Sequence, residues 1–183
     1  MKNDNIILIG MPGVGKTTIG KRIAKSAQLQ FIDTDRIIEE KTGKKIPSLI
    51  AEHGIDAFLE IENSICAELN IKNAVIATGG SVIYGKDAMK HFSQIGTIIY
   101  LKLPLPLLRL RLHDLNARGV VLRGSQTLHD IFRERTPLYE KYADITINER
   151  NCYPNQTATR TRLALEEFGF FKNRTPADKP SDK

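Results

Sequence analysis

The run Gly10-Met-Pro-Gly13-Val-Gly15-Lys16-Thr17 constrains this chain more than any other feature. It fits the pattern GxxxxGK[ST] and stands between a short apolar stretch, Asn5-Ile-Ile-Leu-Ile-Gly10, and a segment, Lys16 to Ala27, in which Ile19, Ile23, Ala24 and Ala27 recur at helical spacing. Strand, glycine turn and helix in that order predict a phosphate-binding loop. Glycines are needed because the backbone must turn its N–H groups inward around phosphate oxygens, where a Cβ would block close approach. Gly13 and Gly15 are expected to shape that cradle. Lys16 would bring a positive charge to the outer phosphates, the Thr17 hydroxyl would meet Mg²⁺, and Thr18 closes the nucleotide-binding run. A plain strand-to-helix turn would not need lysine and threonine at this spacing.

Around that loop the chain alternates between short apolar runs and helical patterns. Gln30–Asp33, Ala74–Thr78, Gly96–Leu101 and Asp144–Asn148 join the opening run as strand candidates. This predicts an α/β fold with a parallel sheet covered by helices on both faces, and ligands at the carboxyl ends of the strands. With 183 residues there is room for one domain, here residues 1–171. A polar, glycine- and arginine-containing stretch at about 115–126 is expected to be a mobile lid. The tail 172–183 carries no apolar anchor and is expected to be disordered.

Composition narrows the class. Lysine and arginine total 27 against 21 acids, a net charge of +6, but the basic residues are spread along the chain and aromatics make up only 7% with no Trp. That leaves no stacking platform for bases, so the expected partner is a small anionic substrate rather than nucleic acid. Cys66 and Cys152 lie far apart, no leader pattern opens the chain, and the most apolar stretch, 95–110, is broken by Lys102, Pro104, Pro106 and Arg109. A cytoplasmic protein without a membrane span is expected, as a monomer. No NKxD sequence marks guanine specificity, and the short chain favours a kinase for a small acceptor over a motor ATPase.

The second strand ends in Asp33-Thr-Asp35. Beside a phosphate loop, one carboxylate could organise the metal's surroundings while the other orients an attacking hydroxyl; the same residues also fit a helix cap before Arg36. Together with GMPGVGKTT at 10–18, the runs FIDTDRIIEEKTG at 31–43, HGIDAF and the glutamate at 53–62, TGGS at 78–81, NARG at 116–119 and RERTPLYEKYAD at 133–144 resemble the shikimate kinase family over nearly the whole chain. The resemblance implies a three-layer P-loop kinase fold with a five-stranded parallel sheet. It also implies ATP with Mg²⁺, a closing lid, and phosphorylation of the 3-hydroxyl of shikimate. On it, Lys16, Asp35 and Arg118 match catalytic positions; Thr17 and Asp33 face the metal; Arg111 and Pro154 flank adenine. Asp35, Gly79, Gly80 and Arg135 match the acceptor side, with Arg135 gripping the acceptor carboxylate. Without the family, Arg135 would read as one more exposed helix charge.

Three positions depart from the pattern. Leu59 stands where the family's FRxxE motif has a carboxylate-binding arginine, Ser81 where it has a third glycine, and Gly119 where it has a proline after the lid arginine. Phe58, Glu62, Ile65 and Leu69 share a helical stripe, so Glu62 sits on an apolar face without that arginine. It is expected either to bind substrate, as it would the ammonium of a hydroxy-amino acid such as homoserine, or to pair with a protein cation such as Lys86 or Arg135. Shikimate remains the expected acceptor. The alternatives are another hydroxy acid or hydroxy-amino acid, or a nucleotide-binding regulatory module without catalysis.

Overall fold

The computed structural model describes residues 5–112, 120–149 and 154–171. Strands β1 (Asn5–Ile9), β2 (Gln30–Asp33), β3 (Ala74–Ala77), β4 (Gly96–Lys102) and β5 (Ile145–Asn148) form one parallel sheet in the order β2-β3-β1-β4-β5. Each expected strand is present, within a residue at either end. Burial follows position in the sheet: every residue of β1 and β3 is buried, whereas the edge strands QFID and ITIN carry polar residues and stay partly exposed.

Seven helices accompany the sheet among the described residues: α1 (Lys16–Ala27), α2 (Thr34–Thr42), α3 (Ile46–Ala67), α4 (Lys86–Ile95), α5 (Leu105–Arg111), α6 (Leu128–Tyr142) and α7 (Pro154–Glu167). The crossover from β1 to β2 through α1 runs one way across the sheet, and that from β3 to β4 through α4 runs the other. Right-handed connections therefore place α1 and α4 on opposite faces, giving three layers. Ile19, Ile23 and Ala24 of α1 enter the main core beside the β1 and β3 side chains. Asn5, buried at the foot of β1, donates Nδ2 to the carbonyls of Ile71 (2.6 Å) and Ile95 (3.0 Å) and accepts from Ala74 N–H (3.0 Å). One amide thus pins the starts of both neighbouring strands.

Helix α3 is interrupted at Gly54, whose φ of 81° and ψ of 169° are not helical. The break lets the second half of α3 turn Phe58, Glu62 and Ile65 inward as the sequence stripe implied; Leu69, beyond the helix end, is buried as well. Leu59 packs against a smaller apolar cluster of Ile38, Ile46, Leu49, Phe58, Ile65 and Val121. Helix α6 starts with a reciprocal cap: Asp130 N–H donates to Thr127 Oγ1 (3.3 Å) while Asp130 Oδ2 accepts from Thr127 N–H (2.8 Å). Among the described residues no helix is long and apolar enough to cross a membrane. The tail 172–183 and residues 115–119 of the expected lid lie outside the described residues. The rest of that stretch, 120–126, is described, with Val120 and Val121 buried and Arg123 paired to Asp56 of α3 at 2.6 Å.

Candidate active site

A cavity of about 760 Å³ opens at the carboxyl ends of β1, β2 and β3. Its nucleotide-side wall is residues 12–18. Gly13 (φ 78°) and Gly15 (φ 106°) hold backbone conformations that side-chain-bearing residues rarely adopt, and Gly15 is the residue before α1. The turn therefore delivers the helix N-terminus, with its free N–H groups, to the cavity floor. Lys16 is buried and donates Nζ to the carbonyls of Gly10 (2.7 Å) and Met11 (3.1 Å). Burial pulls its pKa down to about 8, opposed chiefly by the charge of Asp35.

Asp33 caps α2 with one oxygen and meets the phosphate loop with the other. Its Oδ1 accepts from Asp35 N–H (3.2 Å), capping α2, and its Oδ2 accepts from Thr17 Oγ1 (3.0 Å). Two oxygens from different elements thus meet at the phosphate end of the cavity, a donor set that suits a hard cation such as Mg²⁺. Arg111, in the last turn of α5, donates Nη1 to Val14 O (3.0 Å) and lies 3.6 Å from Glu149 Oε2. Pro154, at the start of α7, lines the same edge of the cavity.

Across the cavity stand Asp35, Gly79, Gly80, Ser81 and Arg135. Burial and the neighbouring Asp33 raise the Asp35 pKa to about 6. Arg135 is not an exposed helix charge: it is 1% exposed, donates Nε to Tyr84 Oη (3.2 Å) and Nη2 to Val121 O (2.5 Å), and leaves Nη1 buried without a partner. The two glycines are required by crowding. A Cβ on Gly79 would lie directly against Glu62 Oε1 and 2.8 Å from Asp35 Oδ1, and one on Gly80 would lie 2.8 Å from Pro12 Cδ. Gly80 is thus the contact between the acceptor wall and the phosphate loop. Tyr139, one turn beyond Arg135, donates to Gly80 O at 2.6 Å and holds that contact in place.

Glu62 lies behind Gly79, 1% exposed and outside the cavity lining. No protein cation pairs with it among the described residues; its Oε2 instead accepts from Ser81 Oγ at 2.7 Å, and its Oε1 has no partner. Burial raises its pKa to about 7, with the Ser81 hydrogen bond opposing. Arg118 lies outside the described residues. Sequence reasoning missed two residues here. Ser81 was visible only as a departure from a glycine, and Glu149 not at all, although its 2% exposure, its unpartnered Oε1 and a pKa raised by burial to about 7 set it apart beside Arg111.

A phosphate loop at the topological switch of a five-stranded parallel sheet, facing a wall of carboxylate and guanidinium groups, defines a P-loop small-molecule kinase. A family model described as shikimate kinase matches residues 12–166. The shikimate kinase of Nitrosococcus oceani is 38% identical over 150 residues, covering 80% of this chain and 79% of that protein, and that of Aromatoleum aromaticum is 31% identical over 166 residues, covering 89% and 95%. Among solved structures, a shikimate kinase from Acinetobacter baumannii in complex with shikimate superposes with a TM-score of 0.80 at 30% identity, covering 94% of this chain and 96% of the other. The chain belongs to the shikimate kinase family. A thymidylate kinase from Candida albicans, at 14% identity and a TM-score of 0.60, shares the fold.

Proposed function

We propose that this kinase transfers the γ-phosphoryl group of ATP to the 3-hydroxyl of shikimate. The observation that carries the reading is the buried guanidinium of Arg135, with Nη1 unpartnered, in the same cavity as Lys16 and Asp35. Such a group demands an anion, and the acceptor's carboxylate supplies one with the two-pronged geometry a guanidinium matches. With the carboxylate held there, the acceptor's hydroxyl is directed to Asp35 and the phosphate loop beyond it.

Asp35 accepts the hydroxyl proton as the acceptor oxygen forms its bond to the γ-phosphorus and the bond to the β–γ bridging oxygen breaks, releasing ADP. Lys16 leaves the Gly10 and Met11 carbonyls for the phosphate oxygens, where its charge follows the one developing in transfer. Gly13, Gly15 and Thr18 line the phosphates, and Arg111 and Pro154 bracket the base. Thr17 and Asp33 would hold Mg²⁺, which supplies charge neutralisation between the outer phosphates. Gly79 and Gly80 allow the acceptor to approach the backbone, and Arg118 is the lid arginine that completes the charge around the transferring group.

A hydroxy-amino acid acceptor is disfavoured by the position of Glu62, which stands behind Gly79 with one oxygen engaged by Ser81. The retained Lys16, Asp33 and Asp35 disfavour a regulatory module without catalysis. A single domain over 1–171, a monomer and a cytoplasmic setting complete the proposal. Steady-state ADP release with shikimate, with homoserine and without acceptor tests it: ADP release that depends on shikimate is expected, and release that ignores it overturns the reading.

A further inference from the structure

Ser81 lines the acceptor wall next to Gly79 and Gly80, and its hydroxyl makes no helix-capping bond; it donates instead to the buried Glu62 Oε2 at 2.7 Å. A carboxylate can only accept, so the Ser81 hydrogen is committed to Glu62. The remaining hydrogen-bonding capacity of Ser81 Oγ is then its lone pairs. An ordinary serine hydroxyl rotates to donate or accept as its ligand requires; this one is fixed in one sense by the group behind it. We propose that Ser81 is a specificity-determining residue of the acceptor site, its hydroxyl locked by Glu62 as a hydrogen-bond acceptor for a second hydroxyl of the bound acceptor. The inference rests on the proposed function and adds to it: the acceptor must carry a hydrogen-bond donor besides the hydroxyl that is phosphorylated.

Glu62 is the positioning residue in this relay. The charged and titratable groups that act on it are Asp35 from α2, Lys16 from α1, Arg135 from α6, and Cys66 from α3 itself. Its pKa near 7 gives the lock a sense that depends on pH. Above that value the carboxylate holds the Ser81 hydrogen. Below it, Glu62 itself carries a proton, can donate to Ser81 Oγ, and frees the serine to point its hydrogen into the cavity. Acceptor selection by Ser81 is therefore strongest on the alkaline side.

The test is steady-state kinetics of the full chain, wild type and Ser81→Ala, with shikimate varied at saturating ATP from pH 6 to pH 8.5. At pH 8 the variant is expected to raise the KM for shikimate by about tenfold, the size of one lost hydrogen bond, with the KM for ATP unchanged. Toward pH 6, where the hydroxyl is no longer fixed in advance, the ratio of variant to wild-type KM should fall below its value at pH 8, a trend that a loss of packing alone would not produce. Glu62→Gln should abolish the trend. Ser81→Gly, which also removes the hydroxyl, must reproduce the Ser81→Ala result and replaces it if that variant fails to fold. Equal KM values for wild type and either hydroxyl-free variant at pH 8 would overturn the role of Ser81 while leaving the proposed function standing. A wild type that does not phosphorylate shikimate overturns both.

Discussion

The two walls of the cavity are built on different principles. The nucleotide wall is one continuous stretch, residues 12–18, in which glycine conformations and a helix N-terminus present backbone groups to a ligand. The acceptor wall is assembled from residues on elements far apart in the chain: Asp35 on α2, Gly79 to Ser81 after β3, and Arg135 on α6. The first recognises a chemical group common to every nucleoside triphosphate and tolerates little change. The second is where selectivity is proposed to lie, and the departure Ser81 falls on it, whereas Leu59 packs in the apolar cluster beside it.

Substitutions separate the two walls, beginning with the largest effect. Lys16→Ala should lower kcat by on the order of 10²–10³-fold whichever acceptor is offered, because it removes charge from the transferring phosphate. Near-normal turnover in the folded variant would break the comparison outright. Asp35→Asn should cost about 10²-fold, mainly in kcat, with ATP affinity measured by titration left intact. Weakened ATP binding with unchanged turnover would move Asp35 to the nucleotide wall. Arg135→Met should raise the KM for shikimate by about 10- to 150-fold, the range for a hydrogen bond to a charged group, and leave the dissociation constant of ATP without acceptor unchanged.

How these walls could be read from sequence follows from the same difference. The phosphate loop was legible because its chemistry is contiguous and strand and helix signals flank it; α1 and all five strands were legible because their apolar runs are short and sharply bounded. Apart from Asp35, the acceptor wall became legible only through resemblance, since Arg135 sits among Arg133, Glu134 and Lys141 on one helix and nothing local marks it as the buried one. The break at Gly54 was equally invisible, because a glycine within a helical pattern does not announce its φ. Glu62 was placed on the right stripe, but its partner was sought among cations; a serine nineteen residues away fills that role.

Two smaller effects sharpen the contrast. Glu62 has a pKa raised from about 4.5 in the unfolded chain to about 7 in the folded one, so between those values the folded state binds more protons. Its ionisation therefore removes stability as pH rises through that window. Glu62→Gln should raise Tm by a few degrees relative to wild type at pH 8, and the gain should vanish near pH 4.5; a gain independent of pH would contradict the assignment. Leu59→Arg should lower the KM for shikimate several-fold by adding a second guanidinium one turn before Glu62. An unchanged KM in a folded variant would show that position 59 no longer addresses the acceptor.

Arg135 donates Nη2 to the Val121 carbonyl, and Val121 belongs to the backbone that continues from residues 113–119, where Arg118 lies. The group proposed to receive the acceptor is therefore also a clasp on the segment beyond Arg118. An acceptor carboxylate taken up through the unpartnered Nη1 of the same guanidinium would couple the acceptor to the Val120–Val121 backbone, which lines the cavity shared with the nucleotide. Thermodynamic linkage then makes the effect mutual: whatever factor shikimate imposes on the dissociation constant of ATP, ATP must impose on that of shikimate. Measured in either order, the two binding events should show the same cooperativity, and a variant without the arginine, Arg135→Met, should lose it.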